Sequence, residues 1–102
     1  MKHLTLIIHT NVKQDMADQL RSLAQVTGFT FSRAEGHGVQ VENDPFLSVR
    51  DKVVGYTPRV RVDILVEDGD VDLVLESLRK TSSGVEGQGV YWITAIEQSG
   101  HL

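Results

Sequence analysis

Leu4, Leu6 and Ile8 alternate with Thr5, Ile7 and His9, the period-two pattern of a strand with one face on a core. From Asn11 the period lengthens. Val12, Met16, Leu20, Leu23 and Val26 follow at intervals of four, four, three and three, which lines one face of a helix. Asn11 is placed to cap its first turn, Gln14 to reach back to that cap, and Gly28 to supply a left-handed exit. Phe29 and Phe31 then alternate with Thr30 and Ser32, so a second strand leads into the bend Gly36-His37-Gly38. No period of either kind holds from about residue 39 to 57, and a long irregular segment inside a small domain is usually functional. A passive connection, a short helix or a hairpin within 47–54 are the alternatives.

Pro58 opens the clearest strand, where Val60, Val62, Ile64 and Val66 face one way and Arg59, Arg61 and Asp63 the other. Val71, Val74, Leu75 and Leu78 carry the second amphipathic helix, with Asp70 at its cap and Arg79 and Lys80 at its last turn. Residues 82–89 are polar and glycine-rich, and 90–96 form a last strand of aromatic and β-branched residues before a polar tail. The order β-α-β-β-α-β predicts an α+β, ferredoxin-like domain: a four-stranded antiparallel sheet with both helices on one side. Whichever way the strands face, apolar groups remain on the other side: Ile7 or the Leu4, Leu6, Ile8 set, and Trp92 or Tyr91 with Ile93. Partner subunits are expected to cover them.

At 102 residues the chain is the size of one domain, and 40% apolar with 24% charged residues is ordinary globular composition. A net charge of −4 offers no surplus for phosphate backbones, which argues against nucleic acid as a partner. With no cysteine, disulfides, thiolate metal ligands and cysteine nucleophiles are excluded together. The run Leu4 to Ile8 is too short for a signal-peptide core, and no apolar stretch approaches the roughly 20 residues that span a bilayer. Cytoplasmic residence is the expectation.

Four histidines raise the question of a metal. His3 and His9 lie six residues apart on one strand, about 20 Å, too far to share an ion within one chain. His37 with Glu35 is the best local pair, although a histidine between two glycines also suits a plain turn. The glycines of 84–89 read either as a ligand-cradling loop or as a flexible connection, with Gly84 the exit of the second helix. Arg59 and Arg61 read as solvated charges, or, for Arg59 at the loop exit, as the receiver of an anion. The paired acids Asp68 and Asp70 suit a helix start better than acid–base chemistry, and nothing places Ser, His and Asp as a nucleophile elbow would; no enzyme is expected.

The segment from Gly28 to Gln40, the stretch Pro58-Arg59-Val60-Arg61-Val62 and the spacing of Gly84-Val85-Glu86-Gly87-Gln88-Gly89 together resemble PII signal-transduction proteins over nearly the whole chain. The resemblance implies a single domain over 1–102, a homotrimer, small-molecule clefts between subunits, and a target-contacting T-loop at about residues 37–57. It implies that Gly28, Phe29, Thr30, Gly36, His37, Gly38 and Gln40 form one wall of the cleft, with Gly84, Gly87, Gln88 and Gly89 as another and Arg59 beside them. An adenine nucleotide (AMP, ADP or ATP) is the effector so implied. The chain departs from the family where lysines stand within and just after the B-loop, having Val85 and Val90, and where arginines stand in the tail, having only His101. Each lost charge-assisted phosphate contact removes roughly 1.5–3 kcal/mol, which argues against tight triphosphate binding. Tyr56 does not stand in the family's uridylylation context. The tail looks more like that of small PII-like proteins found beside heavy-metal efflux or other transporter genes, implying a membrane transporter as target. The alternative is a metal-responsive trimer of the CutA sort, with a divalent metal taken by His37 and Glu35.

Overall fold

The computed structural model describes residues 1–37, 57–80 and 89–102. All but the end residues of the expected T-loop at 37–57, and all but the last residue of the glycine-rich 82–89 segment, therefore lie outside the described residues. Strand β1 spans Lys2–His9, helix α1 Lys13–Ser22, β2 Phe29–Gly36, β3 Thr57–Val66, helix α2 Val71–Arg79 and β4 Val90–Ala95. The strands lie in the order β2-β3-β1-β4, every neighbour antiparallel, which is the expected split β-α-β sheet.

Register explains the core. Leu4, Leu6 and Ile8 of β1 stand opposite Ile64, Val62 and Val60 of β3, and all six are buried. Met16 and Leu20 of α1 and Val71, Val74, Leu75 and Leu78 of α2 close over them as one cluster. Both helices thus cover the same side of the sheet, because the alternation of β1 and β3 offers a continuous apolar surface only there. Phe29 and Phe31 extend the layer onto edge strand β2, half-buried, with the Arg21 guanidinium and the Lys13 ammonium over their rings at 5.9 and 5.5 Å.

The first helix departs from its expected limits at both ends. A 3-10 turn over Thr10–Val12 precedes it, and the His9 ring, not Asn11, provides the cap: His9 Nδ1 accepts from the Asn11 amide at 3.1 Å. Gln14 donates forward to Asp18 at 3.1 Å instead of reaching back. The helix stops at Ser22 because Leu23 turns extended, with φ −92° and ψ 118°. Leu23 and Val26 still pack on the core, but from two successive turns instead of a helix face. Gly28 is not a left-handed exit; its backbone lies outside that region.

Leu20→Ala, at a fully buried site, is expected to cost about 2–5 kcal/mol in denaturant unfolding, whereas Leu73→Ala, at a position 46% exposed on α2, stays within about 0.5 kcal/mol.

Candidate functional site

The side of the sheet away from the helices is uncovered, and its two ends carry different chemistry. Because side chains alternate, His3 and Thr5 of β1 share this face with Arg61, Asp63 and Leu65 of β3, Thr30 of β2, and Val90, Trp92 and Thr94 of β4. At the end where β1 begins, an open cavity of about 710 Å³ is lined by Met1, His3, Thr27, Gly28, Phe29, Thr30, Asp63, Ile64, Leu65, Ser99, Gly100 and His101. Gly28, Phe29 and Thr30 line this one cavity. Gly36 and His37 stand at the other end of β2, about 20 Å away. Within one chain the residues expected to form one wall thus stand at opposite ends of the sheet.

Asp63 anchors the polar wall of this cavity. His3 Nε2 donates to Asp63 Oδ1 at 2.7 Å, and Arg61 reaches both carboxylate oxygens at 3.1–3.2 Å while its guanidinium lies 5.9 Å over the Trp92 ring. Thr5, standing in register between Asp63 and Trp92, is fully buried beneath this layer, its hydroxyl 3.1 Å from His3 Nε2. Thr5, His3 and Asp63 do not make a catalytic relay. A triad base holds its two partners on different ring nitrogens, whereas here both meet Nε2, whose proton is already committed to the carboxylate. Arg61, though 42% exposed, is thus paired with Asp63 as well as solvated. Hydrogen bonds from the Arg61 guanidinium, then from His3, hold the Asp63 carboxyl below the usual carboxylate range, against partial burial that pushes it up. The result is an ionised acceptor fixed in the cavity wall.

The other end of the sheet is built where β1 ends. Gly89 lies so close to β1 that a Cβ there would stand 2.9 Å from the Ile7 carbonyl oxygen and 3.3 Å from Ile8 Cγ2. Glycine is required by this approach, not by a left-handed backbone. Arg59 lines a second cavity with Thr10, Lys13, Arg33, Ala34, Glu35, Pro58 and Val60. His37 pairs with Glu35 at 3.5 Å, both well exposed, and among the described residues no group of three or more metal-type ligands converges. Gly38, Gln40, Gly84, Gly87 and Gln88 lie outside the described residues. Sequence reasoning missed His3, Asp63 and Leu65 as cavity residues, although equal parity along their strands was a usable signal once β1 and β3 were paired.

Two outcomes follow from this geometry. A carboxylate whose folded value is depressed stabilises the fold fully above its unfolded value of about 4, and that stabilisation is lost as pH falls through the folded value. Asp63→Asn should therefore lower the thermal midpoint at pH 7, with the difference from the parent protein fading as pH falls through the depressed folded value of Asp63. Gly89→Ala should push β4 from β1 and cost about 1–3 kcal/mol in denaturant unfolding, an effect absent from Gly100→Ala, where nothing lies within 4 Å.

The family model described as "Protein of unknown function (DUF3240)" matches residues 1–102. Among curated proteins, the chain is 28% identical over 94 residues to the nitrogen regulatory protein P-II of Rhizobium leguminosarum bv. viciae, covering 89% of this chain and 85% of that one. It is 27% identical over 99 residues to nitrogen regulatory protein P-II 2 of Methanothermobacter thermautotrophicus, covering 96% and 85%. The nitrogen regulatory protein GlnK of Escherichia coli is 24% identical over 99 residues, covering 96% and 88%. Among solved structures, a DUF3240 family protein from Shewanella baltica OS155 superposes with a TM-score of 0.78 at 23% identity, over 99% of this chain and 94% of that one, which shows the shared fold. With its whole length matched, the chain belongs to the DUF3240 family, a divergent branch of the PII-like regulatory proteins.

Proposed function

We propose that this PII-like regulator works as a cytoplasmic homotrimer in which neighbouring chains unite the two half-sites into effector clefts, and in which the segment 37–57 carries occupancy to a membrane transporter. The observation that supports this most is the division of the effector residues between opposite ends of one sheet. Gly28, Phe29, Thr30 and Asp63 are open at one end, and Gly36, His37, Arg59 and Gly89 at the other. A head-to-tail contact that closes into a ring sets one chain's first end against its neighbour's second, once per subunit. The uncovered face supplies the adhesive: Leu65, Val90 and Trp92 are exposed on it, Val90 to 56%.

An adenine nucleotide suits such a cleft. The fixed Asp63 carboxylate accepts from amino or hydroxyl donors, Thr30 offers a hydroxyl, and Phe29, Ile64 and Leu65 supply apolar wall for a base. Val85 and Val90, in place of cations, favour AMP or ADP over ATP. An effector moves the 37–57 segment only by the difference in its affinity for the segment's states.

Sedimentation should give a particle of three times the 11.3 kDa chain mass, and calorimetry should detect AMP or ADP. Thr30→Trp and His37→Trp, both at exposed positions, should each abolish that heat in pure trimers, while co-expressed mixed trimers regain part of it. A lone chain in sedimentation, silence toward all three nucleotides, or no recovery on mixing would discard the proposal.

A further inference from the structure

We propose that His9 is a pH-sensitive latch: its neutral ring holds closed the turn that leads from β1 into α1, and its protonation releases that turn. His9 ends β1 on the uncovered side of the sheet by alternation, yet only 4% of it is exposed, and it is the only buried histidine among the described residues. Its Nδ1 accepts the Asn11 amide at 3.1 Å. A backbone amide can only donate, so Nδ1 carries no proton in this fold and the ring is neutral, with its proton on Nε2. A second proton turns that acceptor into a donor facing another donor. The bond is then lost and the Asn11 amide is deprived of it, so protonation and the closed turn exclude each other.

What the latch holds lies between the core and one end of the sheet. Thr10–Val12 is a single 3-10 turn, tied by the Lys13 amide to the Thr10 carbonyl, and it carries Val12 into the core. Thr10 and Lys13, on either side of that valine, line a cavity with Glu35 and Pro58, so the turn adjoins the end of β2 and the start of β3. The charges flanking His9 are Arg59, in register on β3, and Lys13 and Asp15 in the first turn of α1; the described start of β4, Gly89 and Val90, carries none. Two cations and one acid offer an imidazolium no net compensation for the lost bond. Released, the ring titrates as an ordinary imidazole at about 6.5; latched, it stays neutral. The closed turn is therefore fully favoured above that value and loses ground below it, by about thirtyfold in its opening equilibrium between pH 7.5 and 5. The device lies within one chain and involves neither the trimer nor a nucleotide, so either reading can fail alone.

The test follows the His9 ring and the Asn11 amide of the ¹⁵N-labelled full chain between pH 7.5 and 5. Long-range ¹H–¹⁵N spectra should show the His9 proton on Nε2 at pH 7.5. Protection of the Asn11 amide against hydrogen exchange, corrected for the intrinsic rate, should fall at least tenfold by pH 5, with the Thr10 and Val12 amides shifting over the same range. His9→Asn keeps a side-chain acceptor at the cap but has no proton to take up in this range, so it should lose the pH dependence whatever it costs in packing. His101→Gln, in the exposed tail, should retain it. If His9→Asn does not fold, the ring and amide of the parent protein decide alone. A proton on Nδ1 at pH 7.5, unchanged Asn11 protection across the range, or a fall that persists in His9→Asn overturns the proposal.

Discussion

The pairing register between β1 and β3 is the constraint on which the rest depends. Leu4–Ile64, Leu6–Val62 and Ile8–Val60 place these six apolar residues of the two central strands under the helices and leave Ile7 and Leu65 on the other face. A slip of one residue would turn all six outward and send Thr5, Arg61 and Asp63 into the core, so the hydrophobic effect admits one alignment only. The same alignment brings His3 within 2.7 Å of Asp63 and places Thr5 between Asp63 and Trp92. Core and polar cavity wall are thus two faces of one decision.

That coupling explains which features were legible beforehand. Strong periods name elements, and β1, β3 and α2 stand nearly where their alternation put them. Periodicity cannot tell a helix face from successive turns that deliver the same side chains, and α1 shows it: Leu23 and Val26 keep their expected partners after the helix has ended. Capping was misassigned for a related reason, since Asn11 is the commoner cap type while His9 gained the role from the 3-10 turn that tertiary packing imposes. The placement of the expected cleft residues was hidden more deeply. Thr30 and Gly36 share a strand, and only the strand's length shows that they stand at opposite ends of the sheet.

Charge on the uncovered face is handled by distance from the centre. Over β3 and β1 it is locked into the His3–Asp63–Arg61 layer, which leaves few unsatisfied groups to desolvate against a neighbour. Over the edge strand β4 it gives way to Val90 and Trp92, with Tyr91 and Ile93 exposed on the opposite side, Tyr91 beneath the Arg79 guanidinium at 5.6 Å. A strand that is apolar on both sides and lies at an edge is a liability in a free chain and an asset in an assembled one.

Electrostatics set this chain apart within its fold. Val90 stands opposite Ile7 in the β1–β4 ladder, so where classical PII proteins have a lysine this sheet end is apolar. Neutral backbone donors provide roughly half the stabilisation of charged ones, so a polyanion finds a weaker partner at this apolar end than at a sheet end that carries a lysine. Lys13, Arg33 and Arg59 line a cavity past the opposite edge of the sheet, Arg33 in register with the buried Val60 and Arg59 with Ala34 on the other face, so positive charge here is divided between the two sides of one strand pair.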